Sequence, residues 1–190
     1  MEYWLFEAPF LSDLARHCDT GESLSNEVIE KLKQRHQSIK CNELLHRLFL
    51  GELEREVNSN FDPHGDESII GLQRTFAETY CPNHKPPQGN IDPLIQIFQT
   101  NATGKFSIQY RYLWSEIMSA DAFTAFHEAL TNEGEGVETT IRKLGKKFRK
   151  SFLEPGGSIS TEDAFRMFRG RKANPEALSK MYGLRETGTH

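Results

Sequence analysis

Apolar residues recur at spacings of three and four along almost all of this 190-residue chain. That period is the signature of amphipathic helices rather than strands. Trp4, Leu5, Leu11, Leu14 and Ala15 form a first stripe. Pro9 divides it, because proline cannot donate a backbone hydrogen bond inside a helix. Asp19-Thr20-Gly21 predicts a turn. Val28, Ile29 and Leu32 form a second stripe, with Ser25 or Asn26 as its N-cap. A separate, longer helix is predicted to start at Asn42, carrying Leu44, Leu45, Leu48, Phe49, Leu53 and Val57. Gly51 within it costs about 1 kcal/mol against Ala unless close packing needs it. Asp62-Pro63-His64-Gly65-Asp66 ends that helix.

Ile69, Ile70, Leu72, Phe76 and Tyr80 predict the next helix. A loop from Cys81 to Pro93 follows, holding Pro82, Pro86, Pro87, Gly89 and Pro93. Ile108 to Phe126 is the strongest helical stretch. Val137 to Phe152 is helical and basic, and Glu154-Pro155-Gly156-Gly157-Ser158 is a sharp turn. Thr161 caps a short helix to Phe168. Asn174-Pro175-Glu176 is a start signal, with Asn at the cap and Pro in the first turn. Gly183 closes the last helix. No stretch alternates as a strand would, so the fold class is all-α.

Composition narrows what such a fold can do. Hydrophobic residues make up 37% of the chain, with 13 Phe, which is enough for a real core. The net charge is -4, from 23 Lys and Arg against 27 Asp and Glu. A general nucleic-acid binder shows a basic excess, so no nucleic-acid partner is expected. Three scattered cysteines, Cys18, Cys41 and Cys81, read as reduced thiols and not as a disulfide framework. No apolar run approaches the ~18 residues of a membrane span, and no membrane partner is expected. Glu2 and Glu7 oppose a transit peptide, so the expected location is cytoplasmic.

Several motifs offer chemistry and then withdraw it. His127-Glu128-Ala129-Leu130-Thr131 resembles a zinc-protease helix, but that motif needs a second His where Thr131 stands. A surface His-Glu pair is the better reading. Cys81-Pro82-Asn83-His84 is half of a metal site without a second half. Arg142, Lys143, Lys146, Lys147, Arg149 and Lys150 spread around more than one helix face, as a solvated surface does. Gly156-Gly157 lacks the Lys and Ser/Thr of a phosphate loop. Gln109, Tyr110, Tyr112 and Trp114 read as core and rim residues of one helix, or as a pocket lining. Taken residue by residue, the chain is a helical domain and nothing narrower.

Two stretches go further. Tyr112-Leu113-Trp114-Ser115-Glu116, then Ser119-Ala120-Asp121-Ala122-Phe123, resembles the Y-L-W-S-[DE]-x-x-[SA]-x-D-x-F segment of the thimet oligopeptidase, neurolysin and oligopeptidase A family of zinc metallopeptidases. Phe152-Leu153-Glu154-Pro155-Gly156-Gly157-Ser158 is similar to the family's I-L-x-P-G-G-S, and Phe168-Arg169-Gly170-Arg171 to its F-x-G-R. His17, Thr20, Gly21 and Glu30-Lys31-Leu32 resemble its H-x-x-T-G segment and the helix after it. The resemblance runs from about Met1 to Leu184. It implies the C-terminal helical portion of a zincin-type oligopeptidase catalytic domain over residues 1–184, with a tail at 185–190.

Such enzymes hydrolyse short peptides with zinc held by H-E-x-x-H and a third Glu. Glu7 competes for that third role in Phe6-Glu7-Ala8-Pro9. The register that aligns Glu2-Tyr3-Trp4 with the family's E-N-W instead brings Glu7, Leu11, His17, Thr20 and Gly21 into place without a gap. In that register Glu7 is a helix carboxylate, and the chain starts just after the metal-binding turn. The resemblance therefore implies no cofactor in this chain, with zinc confined to the full-length family, and no catalytic residue. The family's substrate loop, similar to F-G-H-L-A-G-G-Y-D-A-Q-Y-Y-G-Y-L-W, runs from Phe98 to Trp114. Its His is Thr100 here, its first Tyr is Lys105 and its next functional Tyr is Gln109. Gly104 and Tyr112 remain on the substrate side. Losing one oxyanion donor typically costs about 10²–10³ in rate. The chain is thus expected to be catalytically dead by itself, or else a binding module. The implied partners are a peptide or a full-length relative. Family members are cytosolic or mitochondrial.

Overall fold

The computed structural model describes residues 2–81, 109–131 and 136–184. Among these residues the chain is helical, and the single β-type pairing is an isolated bridge between Arg16 and Ser23. A 3-10 helix at Glu2–Phe6 leads into α1 (Ala8–Leu14), with Pro9 in its first turn. Then follow α2 (Asn26–Ser59), α3 (Ile69–Tyr80) and α4 (Gln109–Thr131). The last stretch holds α5 (Val137–Phe148), a π turn at Arg149–Leu153, α6 (Thr161–Arg169) and α7 (Glu176–Met181).

Most punctuation falls where side-chain chemistry puts it. Ser25 Oγ accepts the Val28 amide at 3.4 Å, so Ser25 caps α2. Ser68 caps α3 through the Gly71 amide. The cap of α6 is Ser160, one residue before the expected Thr161, and it accepts the Asp163 amide at 3.1 Å. Asn174 Oδ1 accepts the Glu176 amide at 2.9 Å, and Gly183 leaves α7 at φ 69°.

One boundary differs. The break expected before Asn42 does not exist, because α2 runs uninterrupted for 34 residues. No Pro or Gly lies between Leu32 and Asn42. An interior Asn costs only a fraction of a kcal/mol in propensity. A gap in the apolar stripe is therefore not a gap in the helix.

The chain divides into two compact units. Unit 1 is Met1–Gln37 with Ser115–His190, and unit 2 is Ser38–Trp114, so α2 and α4 each contribute to both. The core of unit 1 gathers Met118, Ala122 and Ala125 of α4 with Phe165 and Phe168 of α6. Phe126, Phe148 and Phe152 pack on it, and Phe148 meets Phe168 edge-on at 5.5 Å between ring centroids. In unit 2, Phe49, Leu50 and Leu53 of α2 pack against Leu72 of α3. Among the described residues no helix is long and apolar enough to cross a membrane.

Candidate functional site

The segment that the resemblance assigns to substrate enters α4. Thr100, Gly104 and Lys105 lie outside the described residues. Gln109 is the first residue of α4 and is 9% exposed. Its amide donates to Glu54 Oε2 at 2.9 Å. Glu54 itself is 1% exposed, on the face of α2 that carries Leu50 and Leu53. A carboxylate at a helix N-terminus is favoured by the helix dipole and by the amides left unpaired there. Tyr112, one turn on, is half exposed, and its ring lies 5.2 Å from the Arg111 guanidinium carbon. Tyr110 and Trp114 are exposed as well. These aromatics belong to a surface and not to the core.

Unit 1 carries a second place of interest. A cavity of about 370 Å³ is lined by Phe6, Glu7, His36, His127 and Lys180, among others. Glu7 precedes α1 in extended conformation, and its side chain does not cap that helix. Its Oε1 instead lies 2.8 Å from His127 Nδ1, across 120 residues of sequence. Phe6 stacks on His36 with ring centroids 3.7 Å apart. The structure thus brings Glu7, read as a helix carboxylate, together with the His of the failed H-E-x-x-H. No motif could have linked them, since the pairing depends on how the 3-10 segment lies on α4, with Tyr3 and Trp4 against Phe123.

Asp121 sits on the all-buried stretch of α4 and is 0% exposed. Arg171 holds both its oxygens at 2.6 Å, the Asn174 amide donates at 2.7 Å, and Arg169 approaches to 3.3 Å. Burial pushes this carboxyl up, but the Arg171 hydrogen bonds, the Asn174 amide and the two positive charges outweigh it and hold the group below the usual 3.8. The F-x-G-R stretch therefore serves as an anchor. Its signal in the sequence was a lone acid among Ala120, Ala122 and Phe123. Burial also raises the Cys81 thiol. That favours the protonated form, which is a poor metal ligand. His84, its supposed partner, lies outside the described residues.

The expectation of no cofactor site in this chain needs correction. His17, Cys18 and Asp19 bring one ligand atom each to within 4.8 Å of one another, all three exposed. The chain itself thus carries a donor set able to hold a metal ion. The reason is local. The turn expected at Asp19-Thr20-Gly21 closes through the Gly21 amide to the His17 carbonyl at 2.9 Å, with Gly21 at φ 70°. The His17 amide donates to the Glu22 carbonyl at 2.8 Å. This folds three consecutive side chains onto one side. A search for ligands at long motif spacings passes over such a triplet. His17 Nδ1 already accepts the Asp19 and Thr20 amides at 3.2 and 3.3 Å. A cation bound through Nδ1 would compete with both.

Comparison with known proteins agrees with the resemblance. A profile of peptidase family M3 matches residues 1–184. The chain is 32% identical over 185 residues to the organellar oligopeptidase A, chloroplastic/mitochondrial, of Arabidopsis thaliana, covering 97% of this chain and 22% of that protein. It is 31% identical to the probable cytosolic oligopeptidase A of the same plant, covering 97% and 25%. Oligopeptidase A of Escherichia coli (strain K12) is 28% identical over 186 residues, covering 97% and 26%. The chain therefore spans about a quarter of the length of these relatives.

Proposed function

The chain belongs to peptidase family M3, and from that premise we propose that it is the C-terminal portion of an oligopeptidase-like metalloendopeptidase that does not hydrolyse peptides by itself. The observation that carries this reading is Gln109. At a position where the resemblance implies a substrate-binding tyrosine, the side chain is buried at the start of α4 and carries no phenol. Thr100 stands where the resemblance implies a His, and Lys105 where it implies another Tyr. These 190 residues also contain no H-E-x-x-H pair. A zinc ion needs an open site of about three protein ligands to activate water for peptide hydrolysis.

The test uses the purified chain with one equivalent of Zn²⁺ and a quenched fluorescent oligopeptide of about ten residues, sized to span an ordinary ligand cleft. No chelator-sensitive cleavage is expected. Cleavage that stops on adding a chelator and returns with zinc would overturn the reading.

A second reading is a peptide-binding module or one that docks on a full-length relative. Tyr110, Tyr112 and Trp114 favour it, being 66%, 51% and 51% exposed along one short stretch of helix. Exposed aromatics with a polar end are common at interfaces. Fluorescence anisotropy of a labelled peptide would rise on binding. Under this reading Tyr112→Ala would abolish the rise.

A further inference from the structure

α5 and the π turn after it have two unlike sides. Ile141, Leu144 and Phe148 are half-buried, and Leu144, Phe148 and Phe152 pack on the core of unit 1. Arg142, Lys143, Lys146, Lys147, Arg149 and Lys150 are all exposed. At about 100° per residue, these six fall within the half of the helix surface turned away from that core. They cover more than one stripe, as their spacing predicts, and every one of those stripes faces outward. Six cations in nine consecutive residues also run against a net charge of -4 for the whole chain.

The two arginines are engaged. Arg142 meets Glu138 at 2.7 Å, and Arg149 approaches Glu154 at 3.4 Å. Lys143, Lys146, Lys147 and Lys150 have no acidic partner among the described residues. By contrast, Lys31, Arg166 and Lys180 each meet a Glu four residues earlier at 2.8 Å or less. The four unpaired lysines stand at i, i+3, i+4 and i+7, the spacing of neighbours on one helix face. Like charges at that spacing repel and weaken a helix. Solvent and salt screen part of the repulsion, and an anionic partner would relieve the rest.

We propose that this face docks an acidic polypeptide segment, whose carboxylates meet Lys143, Lys146, Lys147 and Lys150. The unpaired cations are all lysines, compact charges that suit single carboxylates. The arginines, whose forks would grip a phosphate at two points, already face Glu138 and Glu154. No aromatic ring stands among the lysines to stack a base, since Phe148 and Phe152 lie on the core side. An acidic helix repeats its carboxylates at i, i+3, i+4 and i+7, so its stripe has the pitch of the lysine stripe. The face lies in unit 1 and shares no residue with the stretch from Tyr110 to Trp114. Docking here does not depend on whether the chain cleaves peptides.

The test is fluorescence anisotropy of a labelled oligo-L-glutamate titrated with the whole chain. A length of about twelve residues spans the face in helical or extended form. Saturable binding is expected at about 50 mM salt, weakening at least about tenfold by about 300 mM as the charges are screened. Lys143→Gln, Lys146→Gln, Lys147→Gln and Lys150→Gln made together remove the charges but keep good helix formers. This variant should bind at least about tenfold more weakly, with unchanged far-ultraviolet circular dichroism. Lys31→Gln with Lys172→Gln removes two lysines that are paired elsewhere, and should bind like the parent chain. Tyr112→Ala should do the same. Acidic docking on this face is overturned if no saturable binding is seen at the lower salt, or if the fourfold variant binds like the parent. It is also overturned if the Lys31 and Lys172 variant loses as much. Tighter binding of an oligo-dT of equal length, or of phosphatidylserine vesicles, would make the face a phosphate surface and sink the polypeptide assignment.

Discussion

Among the described residues, each unit buries one carboxylate. In unit 1 it is Asp121, 0% exposed, held by Arg171 at both oxygens and by the Asn174 amide. In unit 2 it is Glu54, 1% exposed, with one oxygen bonded to Gln109 and the other to nothing among the described residues. The surroundings differ in the same sense. Asp121 sits beside a phenylalanine cluster closed by rings of α4, α5 and α6, whereas Glu54 sits beside four buried residues, three of them on its own helix. A buried acid with both oxygens hydrogen-bonded is a structural clamp. One that is half used carries a desolvation cost that nothing offsets.

The largest effect expected is at the clamp. Asp121→Ala removes the buried partner of Arg171 and leaves Arg169, 14% exposed, with only Glu128 at 3.8 Å, and the loss should approach the roughly 3 kcal/mol typical of breaking a buried pair. Urea unfolding followed by tryptophan fluorescence would measure it. Acid provides the same test without mutation. The folded Asp121 carboxyl lies below its ordinary 3.8. Its contribution is therefore full above that pH and is lost as pH falls through the folded value. Arg171→Met should flatten this acid-side loss. Equal acid sensitivity in both proteins would mean that the clamp is not the titrating device, and the contrast with Glu54 would lose its basis.

A somewhat smaller loss is expected in unit 2. Leu53, 0% exposed, belongs to the cluster with Phe49, Leu50 and Leu72. Leu53→Ala should cost about 2–4 kcal/mol. If the two units have separate cores, amide exchange should accelerate in α3 while the amides of α6 keep their protection. Equal acceleration in α3 and α6 would show one cooperative core and break the comparison.

The smallest effect concerns the exposed turn at His17, Cys18 and Asp19. Co²⁺ should give a thiolate-to-metal absorption band that Cys18→Ser removes. Binding to the folded chain alone at ten times Kd would stabilise it by about 1.4 kcal/mol. No band at any Co²⁺ concentration would leave the turn a structural element of unit 1 only.

Periodicity and punctuation made most of the fold legible. The stripes at Leu44 to Val57 and Ile69 to Tyr80, the breaker at Pro63, and the glycines at 21 and 183 each act within a few residues, and each appears where expected. The continuous α2 was not legible. A polar stretch looks the same whether it ends a helix or carries it on between two separate cores. The family resemblance was legible too, because Y-L-W-S-E and P-G-G-S are contiguous words.

What the sequence by itself determined, then, is the helical class and the family. These follow from local propensity and from short strings of residues. Tertiary structure alone decided that Glu7 meets His127 across 120 residues, that Asp121 is clamped from 50 residues away, and that Glu54 is left with one oxygen unpaired among the described residues. The physical reason is that hydrogen-bond satisfaction is a property of a place. A side chain's partners are set by which helix faces pack together, and no window along the chain contains both faces.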